Sequence, residues 1–163
     1  FLPTEESTMK ALSIRQPWAQ EIADGFKTLE FRSWSTTYRG PLLICASAYN
    51  SGLWVNIAPE GADNEEMCPL PAGCMLCVVN LVDIRPVTHQ EAEEHDMDYD
   101  PNTLAWVLEG GYTVVPAPVK GQIKLFDVDD SLIVPTPEGK DCFDYEYPNR
   151  HKKPPKNWDD SYE

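Results

Sequence analysis

Basic side chains are scarce in this sequence. Thirteen Lys and Arg stand against 27 Asp and Glu, and the formal net charge is −14. That balance excludes broad electrostatic attraction to a polyanion, so any contact with nucleic acid must be small and pocket-like. The deficit is uneven along the chain. Residues 1–47 carry five basic and five acidic side chains, and residues 48–163 carry eight and twenty-two. Long apolar runs are also missing. The longest, around Pro41–Ala46 and Met75–Val79, fall far short of the ~20 residues that span a bilayer, so no membrane contact is expected. Cysteine is limited to five residues, an odd number whose spacing suggests no disulfide framework. The opening "FLPTEEST" has neither a basic stretch nor an apolar core and is no signal peptide. A reducing cytoplasm is therefore the expected compartment.

Metal and phosphate motifs are equally thin. Cys74 and Cys77 form one CxxC without a second pair, and Cys45, Cys68, Cys142, His89 and His95 are scattered. A structural zinc site wants four ligands, and strand residues three apart point to opposite faces, so these cysteines read as buried small hydrophobes. The six carboxylates between Glu91 and Asp100 read as a solvated surface rather than a cation site. "EGGY" lacks the spacing and the lysine of a phosphate-binding loop. No Ser/His/Asp arrangement stands out. No metal and no cofactor are expected.

What is present suits one folded domain: 163 residues, 42% hydrophobic and 25% charged, with fifteen prolines. Met9 reads as the native start, with residues 1–8 a tag remnant or disordered leader. The domain is expected over 9–147, and 148–163 reads as a polar, poorly ordered tail. That tail's Arg150, His151, Lys152, Lys153 and Lys156 read as solvated, with a phosphate-contacting arm as the other reading.

Alternation makes "KALSIR" a strand. "QPWAQEIADG" follows as a short helix, with Pro17 in its first turn, Trp18, Ala19 and Ile22 on one face, and Gly25 ending it in a left-handed conformation. "KTLEFRSW" alternates again, and "GPLLICASA" and "GCMLCVVNLVDIRPV" are more fully buried strands, the second bending near Asp83. Residues 49–71 read as loop. Thr88 and Glu91 form a capping box for a helix over "THQEAEEHD". "LAWVLEGGYTVV" predicts a hairpin turning at Gly110–Gly111, and "VKGQIKLFDV" a further strand. Six or so short strands with one or two short helices make the fold mainly β with short helices, a small closed or partly closed β-barrel.

The stretch "GFKTLEFR" (Gly25–Arg32) sets three charges among Phe26, Leu29 and Phe31. Alternation puts Leu29 and Phe31 on the inner face, and Thr28, Glu30 and Arg32 on the other at about 7 Å spacing. Lys27 sits at the helix-to-strand turn. The bland reading is a solvent face with a weak Glu–Arg pair. Arg15, Gln16 and Trp18, which close the preceding strand, favour a second one. An indole, an amide, a guanidinium and a carboxylate together suit a planar polar ligand, with a base stacked on Trp18 and its edge read by Gln16, Glu30 or Arg32. Trp18 as a core anchor stays open beside it.

At this point the segment "ALSIRQPWAQEIADGFKTLEFRSWSTTYRGPLLICAS" resembles the ASCH domain family. The family's hallmark is GxKxxExR, which Gly25, Lys27, Glu30 and Arg32 match in full. The flanks "SIRQPWA" and "YRGPLLI", and later "LAWVLE" and "PVKGQIKLFDV", extend the resemblance over Lys10–Val128. It implies a PUA-like β-barrel with a helix-bordered cleft lined by the hallmark, and a partner that is RNA or a nucleoside- or nucleotide-like ligand. The roles implied are Lys27 on a phosphate or carbonyl oxygen, Glu30 and Arg32 on a base edge or orienting Lys27, and Trp18 stacking. Arg15, Gln16 and Lys120 stand around the same cleft. A small group of members deacetylates 4-acetylcytidine with a lysine, a threonine and a glutamate. Their lysine matches Lys27, but the threonine's position holds Glu30, and Thr28 lies two residues away. The alternative is thus a hydrolase of this kind, or a ribonuclease, with Lys27 and Glu30 as its catalytic pair.

Overall fold

A computed structural model describes residues 7–49 and 51–154. Strand β1 (Thr8–Ile14) leads into helix α1 (Trp18–Ala23), edge strand β2 (Leu29–Arg32) and β3 (Gly40–Ala46). The short strands β4 (Trp54–Asn56) and β5 (Met67–Pro69) precede the long β6 (Cys74–Pro86). Helix α2 (His89–Glu94), β7 (Leu104–Thr113) and β8 (Phe126–Asp129) follow. No helix of the described residues is long and apolar enough to cross a membrane. The protein is mainly β with few short helices, as the alternation predicts.

Six strands form one sheet in the order β2-β7-β6-β3-β1-β8, and β4 pairs with β5 in a separate ribbon. Only β1 and β3 run parallel; every other neighbour pair in the large sheet is antiparallel. α1 and β2 occur in the crossover between β1 and β3, so the chain leaves the strand beside one edge, visits the opposite edge and returns. In a flat sheet four strand spacings would separate β2 from β1, about 19 Å. Yet the Arg32 guanidinium on β2 donates to the Ser13 carbonyl on β1 at 3.1 Å. The sheet is therefore strongly curled, although no ladder of hydrogen bonds joins edges β2 and β8 among the described residues.

The near-continuous apolar runs of β3 and β6 follow from burial on both faces. Leu12, Leu42, Ile44, Leu76 and Trp106 pack in one cluster, and Ala11, Leu43, Cys45, Met75 and Val128 in another. Each large side chain so buried contributes about 1.5–3 kcal/mol. α2 begins as its sequence predicts. The Thr88 hydroxyl accepts from the Glu91 amide, and the Glu91 carboxylate accepts from the Thr88 amide. A bidentate Arg85–Glu91 pair ties the helix to β6.

Three sequence expectations are corrected. Residues 49–71 are not all loop, since they contain β4 and β5. Gly110 and Gly111 do not turn a hairpin: β7 runs through them and stays paired with β6, the two glycines opposing Val79 in a bulge. "VKGQIKLFDV" is a strand only from Phe126 onward. The predicted bend of β6 corresponds to a register shift between Leu81 and Asp83.

Within the expected tail, Asn149 and Arg150 contact the domain, while Pro148 and residues 151–153 are exposed. The Asn149 amide donates to the Leu70 carbonyl and accepts from the Ala72 amide, at 2.9 and 3.0 Å. Residues 1–6 of the expected leader and 155–163 of the tail lie outside the described residues.

Candidate functional site

The sequence "ADGFK" fixes where Lys27 sits. Gly25 ends α1 at φ +83, the left-handed region in which glycine is unstrained. The chain then doubles back, and the amides of Phe26 and Lys27 both donate to the Glu21 carbonyl, at 2.9 and 3.1 Å. That turn leaves Phe26 85% exposed and brings the Lys27 side chain inward, where it keeps 9% of its accessibility.

Glu30 is buried too. One carboxylate oxygen accepts from the Arg32 guanidinium at 3.0 Å, and the other lies 4.0 Å from the Lys27 ammonium. On the polar side Thr28 is exposed and Arg32 intermediate, but Glu30 is inside, while Leu29 and Phe31 are only half-buried. β2 is an edge strand whose Glu30 and Arg32 face the cleft, and Arg32 reaches the end of β1 through the Ser13 carbonyl. The Lys27 ammonium also stands 4.9 Å from the centre of the Phe31 ring, whose edge meets His95.

These side chains line a cleft of about 780 Å³, a volume that suits a small polar ligand. Of the residues singled out in the sequence, it brings together Arg15, Trp18, Lys27, Glu30 and Arg32. Trp18 is half exposed at the rim, and it is Ala19 and Ile22 that anchor α1 in the core. Gln16 is absent from the lining. Its buried amide donates to the Pro71 carbonyl and accepts from the Gln20 amide, at 2.9 and 2.8 Å, so it braces the start of α1. Lys120 is absent as well and lines a neighbouring cavity.

The cleft also contains Phe31, Ser47, His95, Met97 and Gln122. Phe31 belongs to the hallmark stretch itself, but the neighbourhoods of the others carry no signal of this, because His95 and Met97 arrive from the far end of α2 and Gln122 from an irregular segment. Two buried polar atoms in the lining have no partner among the described residues: Arg32 Nε and Ser47 Oγ. Both are closed to solvent, so their unmet hydrogen bonds are a cost already carried by the fold. The lining is electrostatically mixed. Glu21, Glu30, Glu94 and Asp96 face Arg15, Lys27 and Arg32, a set that favours a neutral polar ring over a phosphate.

Burial pushes the Lys27 amine below its ordinary value of 10.5, and the charges of Glu30 and Glu21 pull it partly back. Below the lowered value the buried ammonium penalises the fold in full. As pH rises from there towards 10.5 the unfolded chain binds more protons than the native one, and stability rises. Lys27→Met should remove that slope. Urea midpoints of wild type and variant across this window check it, and parallel curves would refute it.

The five cysteines are free and buried. Desolvation holds Cys45, Cys74 and Cys77 up at about 12 and moves Cys68 and Cys142 in the same direction, which makes them poor nucleophiles and ligands at neutral pH. A register shift between Ile44 and Cys45, opposite this part of β6, accompanies the placing of Cys74 and Cys77 in one core cluster, rather than on opposite faces. Among the described residues no three His, Cys, Asp or Glu side chains are grouped to hold a metal ion.

The chain belongs to the ASCH domain family, whose sequence model matches residues 12–148. Activating signal cointegrator 1 of Homo sapiens is 30% identical over 130 residues, 74% of this chain and 22% of that protein. Its Mus musculus counterpart is 29% identical over the same length and shares. The chain thus spans about a fifth of these relatives. Among solved structures, ASCH from Zymomonas mobilis is similar with a TM-score of 0.49 at 12% identity, over 76% of this chain and 89% of that one.

Proposed function

We propose that the cleft binds RNA through one unpaired base, or a nucleotide-like ligand of the same shape. The observation that carries this reading is the pairing of a half-exposed indole, Trp18, with the buried Lys27–Glu30–Arg32 set in one cleft. The ring stacks on Trp18. Lys27 donates to a carbonyl oxygen of the base, the Arg32 guanidinium meets its polar edge, and Glu30 holds both cations in place. Membership of the ASCH family supports RNA as the ligand class.

The test is titration of the protein with each of the four ribonucleoside monophosphates, followed by tryptophan fluorescence. At least one should quench it saturably. Trp18→Ala should raise that dissociation constant about 5- to 100-fold, the equivalent of 1–3 kcal/mol of stacking, with an unchanged thermal midpoint because the ring is not in the core. Absence of saturable binding by every mononucleotide and by single-stranded RNA would overturn the reading.

One observation keeps a hydrolase in second place: a buried lysine of lowered pKa is suited to acid–base chemistry. Against it, Glu30 is held by Arg32 and supplies no hydroxyl nucleophile. Incubation with 4-acetylcytidine should release no cytidine. Release that disappears in Lys27→Ala would reverse the order of the two readings.

A further inference from the structure

Beside the cleft lies a second cavity of about 470 Å³ with a different electrostatic character. Its lining includes Lys120 and Lys152 and no Asp or Glu. In a chain of net charge −14 that combination stands out. Five other cations are ion-paired: Lys10 with Asp127, Lys27 and Arg32 with Glu30, Arg85 with Glu91, Arg150 with Glu66. Neither Lys120 nor Lys152 has an ion-pair partner among the described residues.

The two cavities share two walls. Ser47 lines the cleft and Ala48 the second cavity. Gln122 lines the cleft, while Pro118, Val119 and Lys120 line the second cavity. The Arg15 guanidinium, which lines the cleft, stacks 4.3 Å from the centre of the Tyr49 ring, which is 55% exposed. Tyr49 follows Ala48 in the chain, so this aromatic–guanidinium pair joins a residue of the cleft to the neighbour of one that lines the second cavity. The far wall is rigid, because Asn149 is locked to Leu70 and Ala72.

We infer that the second cavity is the phosphate subsite of a single-stranded RNA whose base occupies the cleft. This rests on the reading above and extends it from a mononucleotide to a strand. The cleft, with four carboxylates against Arg15, Lys27 and Arg32, disfavours a phosphodiester. The second cavity attracts it. The adjoining base lies across Tyr49 and Arg15, a stacking surface indifferent to sequence. Duplex RNA does not follow this path, because its bases are paired and stacked inside.

The experiment compares a labelled, random-sequence single-stranded RNA of about six nucleotides with the mononucleotides. Proteins are wild type, Lys120→Ala/Lys152→Ala, Tyr49→Ala, and Lys140→Ala as an exposed-charge control. The strand should bind wild type at least tenfold more tightly than any mononucleotide. The double lysine variant should lose most of that gain, keep its mononucleotide affinity, and flatten the dependence of log K on log salt by about 1.4, two phosphates at 0.7 each. Tyr49→Ala should weaken the strand alone, and Lys140→Ala should change neither ligand.

If the double variant leaves strand affinity and salt slope unchanged, or Lys140→Ala matches it, the subsite is refuted. Mononucleotide binding that depends on Trp18 would then leave the cleft reading intact. If neither mononucleotide nor strand binds wild type, both fall.

Discussion

Glu30→Gln should destabilise the protein by about 2–3 kcal/mol and abolish ligand binding in the cleft. Removing one member of a buried ion pair leaves its partner desolvated and uncompensated, which typically costs 3–5 kcal/mol. The lower figure applies because the Arg32 side chain keeps 25% of its exposure. Two cations are orphaned at once, and Lys27 and Arg32 are then left facing each other across a neutral amide. Arg32 also bridges β2 to β1 through the Ser13 carbonyl, so its displacement loosens the curl that forms the cleft. Urea denaturation of Glu30→Gln, Lys27→Met and the double variant gives the coupling directly. The cost of Glu30→Gln should fall by at least about 1 kcal/mol in the Lys27→Met background, where one orphaned charge is gone. Additive effects would show that Glu30 does not compensate Lys27.

Gly111→Ala should be more damaging still, at more than about 4 kcal/mol, in the range reserved for the loss of a structural element. Gly111 adopts φ +114, and a Cβ there would lie 1.9 Å from the Val78 carbonyl oxygen of β6. That oxygen belongs to backbone, so relief requires β6 and β7 to part in the middle of the sheet. Gly110 provides the internal comparison. It has φ +58 with nothing within 4 Å of its Cβ position, so Gly110→Ala should cost only the left-handed strain, about 1–2 kcal/mol. Soluble yield and thermal midpoint distinguish the pair. Equal, small effects would mean that the bulge does not pair as described.

These two sites illustrate different limits of sequence reading. Gly-Gly between apolar stretches is a strong hairpin signal, but the same dipeptide serves a bulge when the partner strand continues past it. β6 is thirteen residues long, and its length, remote from Gly110 in the chain, decides the matter. At β2, alternation identifies a strand but does not foresee a buried Glu30. Period two says which residues share a face, not which side chains are covered. Glu30 is buried among Lys27 and Arg32, and Arg32 is held to β1 by the curl of the sheet.

Local chemistry by itself determined a good deal. The Thr88–Glu91 capping box, the left-handed stop at Gly25, the doubly buried strands β3 and β6, and the hallmark grouping of Lys27, Glu30 and Arg32 are all interactions within a few residues or plain consequences of apolar content. Tertiary structure alone decided the rest. It spent Gln16 on bracing a helix, turned Trp18 outward and moved Lys120 into a second cavity. It brought Ser47 and His95 to the ligand's side. Each of these depends on contacts between segments tens of residues apart, and nothing in a residue's own neighbourhood encodes which distant surface will fold over it.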